Sequence, residues 1–199
     1  MGDRGQVRRM GWQGSATPSD PLVVLVDERD QPVGVCAKSV AHRKALLHRA
    51  FSVFLAYDGK MLLQKRAVGK YHSAGLWCNA CCSHPEPDED VISAAHRRLF
   101  QELGIPAGRV RDLREVLSFS YRTDFESGLS EHEFDHVLVG SYGGPFDPDP
   151  QEVADLRWVS IRQLREEVRA HPERFAYWFL EAFEKVARRL EDADESGGL

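Results

Sequence analysis

Cys82 and His84 stand two residues apart, in the run Leu76-Trp77-Cys78-Asn79-Ala80-Cys81-Cys82-Ser83-His84-Pro85. In an extended segment, residues i and i+2 point to the same side. A thiol and an imidazole would then face one cavity, as a pair able to give and take protons. Pro85 and Pro87 end any strand here, because proline cannot donate a ladder hydrogen bond. Glu131 and Glu133 repeat the spacing downstream and would aim two carboxylates to one side.

His42, His48 and His84 come from three separate places in the chain. Three imidazoles with Glu131 and Glu133 suit an octahedral Mn²⁺ or Mg²⁺, or a Zn²⁺ with extra oxygen ligands. Spacing alone leaves the blander reading open. Each histidine could be an ordinary hydrogen-bonded or surface residue, and Glu131-His132-Glu133 by itself reads as an exposed strand face. Cys78 and Cys81 form a Cys-x-x-Cys pair, but a structural zinc wants a second pair. One or both of them read as core, which leaves Cys82 as the candidate acid/base. Lys38, Arg66, Lys70 and Arg98 lie near element ends. Singly they read as solvated surface charges. With Mg²⁺ on Glu102 they would suit a diphosphate. Tyr121 and Trp178 read first as packing aromatics.

These groups need a scaffold. The chain has 199 residues, 42% hydrophobic and 29% charged, as expected of one globular domain. A net charge of -5 gives no reason to expect nucleic acid. No apolar run reaches the length of a membrane span, and the Gly- and Arg-rich start lacks the apolar core of a signal peptide. The expected setting is the reducing cytoplasm, with free thiols. Residues 1–20 read as a disordered arm, 21–190 as one domain, and 191–199 as a disordered tail.

Leu22-Val23-Val24-Leu25-Val26 and Val33 to Lys38 read as a hairpin. Ala50 to Tyr57 and Met61 to Lys65 read as strands around an Asp58-Gly59 turn. Ile92, Ala95, Leu99 and Leu103 recur at helical spacing, predicting a helix from Asp88, its cap, to Leu103, closed by Gly104. Strands are expected over Leu113 to Tyr121, Glu131 to Tyr142 and Asp155 to Ser160, then helices over Ile161 to Ala170 and Phe175 to Leu190. The order predicts an α+β fold, an α/β/α sandwich on a mixed sheet.

Taken together, Asn79 to Pro85, Arg97 to Gly104, Ser120-Tyr121-Arg122 and Glu131-His132-Glu133 resemble the type I isopentenyl-diphosphate Δ-isomerases of the Nudix superfamily. The likeness runs from about Leu22 to Phe183. The Nudix box is altered: Ser83 replaces its first glycine, and Arg98 and Gln101 replace two glutamates. Glu89, Arg97, Leu99, Glu102, Gly104 and Ile105 fit it. Losing two metal-holding acids argues against pyrophosphate hydrolysis.

The resemblance implies a Nudix-type sandwich and an isopentenyl diphosphate substrate. It implies Cys82 and Glu133 as acid/bases on opposite faces of the substrate, with Tyr121 assisting Glu133. It implies His42, His48, His84, Glu131 and Glu133 as ligands of a first metal, Mn²⁺, Mg²⁺ or Zn²⁺. It implies Glu102 for a diphosphate-bound Mg²⁺, Lys38, Arg66, Lys70 and Arg98 for the diphosphate, and Trp178 as an aromatic face. Neither nucleic acid nor membrane is an expected partner, and a monomer or weak dimer is expected. The rivals are a Nudix pyrophosphohydrolase, and a zinc module on Cys78, Cys81, Cys82 and His84 without turnover.

Overall fold

The computed structural model describes residues 20–70 and 72–195. The chain runs β1 (Leu22–Val26), β2 (Pro32–Ala37), α1 (Lys38–Lys44), β3 (His48–Tyr57), β4 (Lys60–Arg66), β5 (Trp77–Cys78), β6 (Cys81–Ser83) and α2 (Val91–Leu103). It continues with β7 (Arg111–Asp124), β8 (Ser130–Ser141), β9 (Val153–Ser160), α3 (Ile161–Ala170) and α4 (Tyr177–Glu195).

Strand β3 is the spine. Its apolar run is buried almost throughout, because both of its faces are covered. It pairs in parallel with β8 from His48↔Glu133 to Ala56↔Ser141, and antiparallel with β6 at Phe51 to Val53. The remaining pairings are antiparallel, so the sheet is mixed. One face packs Phe54, Val137 and Val139 against Phe179, Ala182 and Val186 of α4. The other packs Phe51, Val53, Leu55 and Leu138 against Ala95, Leu99 and Leu103 of α2. The result is the expected α/β/α sandwich. Truncating a fully buried ring such as Phe179 to Ala would cost about 3–5 kcal/mol.

A split in the sheet makes the cavity. β3 and β4 remain paired only where Ala56 and Tyr57 meet Met61 and Lys60. Beyond that turn they part. β6 takes the free edge of β3, while β5 and β9 flank β4. His84, Glu131, Glu133, Cys82 and the cations line this opening.

Local chemistry explains the borders. Asp58 and Gly59 both adopt positive φ, as a tight hairpin turn requires. Helix α2 is capped by Asp90, whose carboxylate accepts from the Ser93 N–H at 2.9 Å. The expected cap, Asp88, lies outside the helix at φ 68°. Gly104 closes α2 at φ 66°, and a Cβ there would meet Asp147 Cβ at 2.7 Å. Helix α1, over the segment that carries Lys38 and His42, was not expected. The last helix reaches Glu195, five residues into the stretch read as tail. The rest of the expected arm and tail, 1–19 and 196–199, lies outside the described residues. Among the described residues no helix is long and apolar enough to cross a membrane.

Candidate active site

Each pair of reactive residues inherits its direction from a strand. On β8, Glu131, Glu133 and Asp135 alternate with their neighbours and point inward, ahead of core Val137 and Val139. Glu131 and Glu133 are therefore buried, not an exposed face. Parallel pairing sets His48 of β3 beside Glu133. Cys82 of β6 and His84, just past its end, line one cavity together with Lys38, Arg66, Lys70, Arg98, Glu102, Tyr121, Glu131, Glu133 and Trp178. His42 arrives from α1. The Nδ1–H of His132, on the other face of β8, donates to Ala45 O at 2.9 Å and pins the end of that helix.

His42, His48, His84 and Glu133 each offer a ligand atom, all within 4.8 Å of one another. The His48 Nδ1–H donates to Leu46 O at 2.8 Å, which leaves its Nε2 lone pair facing the cluster. That Nε2 lies 3.2 Å from His84 Nε2, which is itself 2.9 Å from Glu133 Oε1. Burial, with neighbouring His84, lowers His42 to about 3. Burial and Lys38 lower His84 to about 3. Neutral imidazoles converging on a carboxylate are the protonation state a divalent cation needs, so the donor set fits one.

Glu131 lies just outside this group of four. Its Oε1 is 3.0 Å from His72 Nε2 and its Oε2 is 3.2 Å from the Tyr121 hydroxyl oxygen. Burial and the neighbouring Glu133 hold Glu131 well above the usual carboxylate range. Burial would raise Glu133 too, but the neighbouring His48 and His84 outweigh it and hold that carboxyl low.

The thiols separate as expected. Cys78 and Cys81 are fully buried, one in each core layer, and Cys82 alone lines the cavity. Cys81 is not purely apolar, since its Sγ lies 3.5 Å from Glu102 Oε1. A hydrogen bond with Cys78, reinforced by burial, raises Cys82 well above an ordinary thiol. It therefore carries its proton at neutral pH. Cys82 pairs with Ser52, whose partner on β8 is Val137, four residues beyond Glu133. At about 3.3 Å per residue, that register sets thiol and carboxylate well apart along the strands.

The cations line the same cavity. Arg98 Nη2 lies 2.6 Å from Glu102 Oε1 and 3.4 Å from Glu152 Oε1. Lys70 pairs with the same Glu152. Gln64 Nε2 donates to Glu102 Oε2 at 3.2 Å. Burial lowers Lys38, against the pull of Glu133 and Glu131. The Arg66 guanidinium sits 5.1 Å over the Trp178 ring, whose Nε1–H donates to Asn79 Oδ1 at 3.2 Å. The face of Trp178 is thus a cation-π surface as well as packing. The altered box keeps one internal clamp, Arg97 on Glu89 at 2.8 and 2.7 Å, which ties the loop after His84 to α2.

Three residues were missed by sequence reasoning. His72 stacks on Phe125 with ring centroids 4.9 Å apart. Burial and Arg66 lower it to about 3. Asp135 is 1% exposed, and burial pushes it up to about 8. Glu152 bridges the two cations just described. Asp135 had a signal, as the third member of the alternation begun by Glu131.

Comparison with known proteins agrees with this geometry. Residues 46–179 match the NUDIX domain family. The chain is 46% identical over 166 residues to Isopentenyl-diphosphate Delta-isomerase 2 of Aromatoleum aromaticum, covering 82% of this chain and 85% of that protein. It is 45% identical over 163 residues to Isopentenyl-diphosphate Delta-isomerase of Serratia proteamaculans, covering 81% and 88%. In fold it is similar to the crystal structure of DR0079 from Deinococcus radiodurans, with TM-score 0.62 and 20% identity over 75% of this chain and 89% of that one.

Proposed function

The chain belongs to the type I isopentenyl-diphosphate Δ-isomerases of the Nudix superfamily and interconverts isopentenyl and dimethylallyl diphosphate, and we propose that Cys82 and Glu133 move the two protons. Shifting the double bond requires protonating an unactivated alkene and removing a proton from another carbon. The cation between these steps is tertiary. Two acid/base groups must flank the hydrocarbon, neither of them water.

The observation that carries this reading is one cavity lined by a neutral thiol and a carboxylate, with four cations around it. Cys82, already protonated, suits one side. Glu133, held low by its histidines, suits the other. Tyr121 holds Glu133 in position. Lys38, Arg66, Lys70 and Arg98 would bind the diphosphate, and Trp178 would present its face to the cationic carbon skeleton.

His42, His48, His84 and Glu133 would hold a divalent ion, with Glu131 as a fifth donor if its carboxylate turns from His72 and Tyr121 toward them. We assign Mn²⁺, Mg²⁺ or Zn²⁺ to that set and Mg²⁺ to Glu102. Such ions would polarise the Glu133 carboxyl and neutralise diphosphate charge when bound. The proposed setting is the cytoplasm, supported by four unbridged cysteines.

The test is direct. Purified protein given isopentenyl diphosphate and Mg²⁺ should form dimethylallyl diphosphate. Release of phosphate without isomerised product would favour a hydrolase instead.

A further inference from the structure

Glu152 has no part in the roles assigned so far, yet it sits inside the cavity. Its side chain is 23% exposed. One oxygen contacts Lys70 Nζ, and the other lies 3.4 Å from Arg98 Nη2. That same nitrogen is 2.6 Å from Glu102. The backbone fixes the arrangement. Ala67 N–H donates to Glu152 O at 2.9 Å, Lys70 N–H donates to Ala67 O at 3.2 Å, and Glu152 N–H donates to Asp149 O at 3.0 Å. The carboxylate is therefore tied to the loop that carries Lys70.

The cavity lining sets four basic side chains against four carboxyl groups. Lys38, Arg66, Lys70 and Arg98 face Glu102, Glu131, Glu133 and Glu152. An incoming anion thus meets cations that are already occupied, and at Lys70 the occupant is Glu152. A phosphate group cannot share Lys70 and Arg98 with that carboxylate at contact distance, because like charges in so confined a space repel strongly.

We propose that Glu152 is a built-in counter-anion of the diphosphate end, which the substrate must displace. The inference rests on the reading of Lys70 and Arg98 as diphosphate-binding groups. The cost of displacing one carboxylate is the same for any ligand. A diphosphate recovers it by spanning both cations, whereas a single phosphate recovers less. Glu152 also gives the cations a partner when product departs, which keeps release from becoming slow. Uniform tightening without it would lower KM and leave kcat no faster.

The test is calorimetric binding of inorganic pyrophosphate and inorganic phosphate, in Mg²⁺, to the wild type, Glu152→Gln and Glu152→Asp. Glu152→Gln should bind pyrophosphate about tenfold tighter, and phosphate tighter by a similar factor, as expected when like-charge repulsion is removed. Its KM should fall while kcat does not rise. Glu152→Asp keeps the charge and should resemble the wild type. Unchanged or weaker pyrophosphate binding by Glu152→Gln would overturn the proposal, as would an equal gain in Glu152→Asp. A wild type that binds no pyrophosphate at all would instead remove the diphosphate reading of this end, and the inference with it.

Discussion

Tyr121 donates its hydroxyl to Glu133 Oε2 at 2.6 Å, while its oxygen lies 3.2 Å from Glu131 Oε2. A hydroxyl has one proton to give. The shorter contact directs that proton to Glu133, whose carboxyl its histidines hold low, while Glu131, held above the usual carboxylate range by burial and by Glu133, lies at the longer one. Tyr121 thus stands between the two carboxyl groups and links them. Tyr121→Phe keeps the ring and removes the link. A hydrogen bond to a charged group is worth about 1.5–3 kcal/mol, so kcat should fall roughly 10- to 100-fold with KM little changed. A raised KM with intact kcat would assign Tyr121 to substrate binding instead.

Cys82 should be the essential thiol. Serine in its place is polar but a much weaker acid. Positioned acid/base groups contribute about 10²- to 10⁴-fold, and a loss of that order is expected for Cys82→Ser. Cys78→Ser and Cys81→Ser should keep most activity, although Cys81 touches Glu102. Equal losses in all three, read by kcat, would point to a structural cluster.

His84 should be needed for the first metal. His84→Ala removes the nitrogen that lies beside both His48 and Glu133. Metal content by elemental analysis should fall together with activity. A variant that keeps full metal and full turnover would exclude His84 from the ligand set. Metal absorption bands typical of sulfur ligation would favour the zinc module.

Period-2 spacing made the core of the site legible. Cys82 with His84, and Glu131 with Glu133, needed only the alternation of a strand. The helix was legible from Ile92, Ala95, Leu99 and Leu103, although its cap is Asp90 rather than Asp88. Helix α1 was not, because seven residues preceded by Ala37, with no side-chain cap, leave no sequence mark. His72 and Glu152 escaped for a different reason. Both lie near β4 and β9 outside any periodic run, and only the split of the sheet brings them to the cavity. A histidine two residues after Lys70 was the one available hint.

Asp135 should make stability fall with pH in the metal-free protein. Its carboxyl titrates near 8 in the fold against an ordinary 3.8. The raised value means that its contribution is complete below 3.8 and is lost as pH rises through 8. The slope between those limits is about 1.4 kcal/mol per pH unit. In urea unfolding with chelator present, Asp135→Asn should lack this decline, so its advantage over the wild type should grow from pH 6 to pH 8 by about 1–3 kcal/mol. Parallel pH curves for the two proteins would contradict the assignment.

Proton delivery from one residue and removal by another is the central claim, and isotope labelling in D₂O tests it most directly. Cys82 and Glu133 must both exchange with solvent between turnovers, through Tyr121 or water. Dimethylallyl diphosphate formed in the earliest turnovers should therefore carry deuterium in the methyl group made from the terminal alkene carbon, as read by mass spectrometry. A single-base shuttle would return much of the original hydrogen. Unlabelled product would contradict the two-residue mechanism even with isomerisation intact.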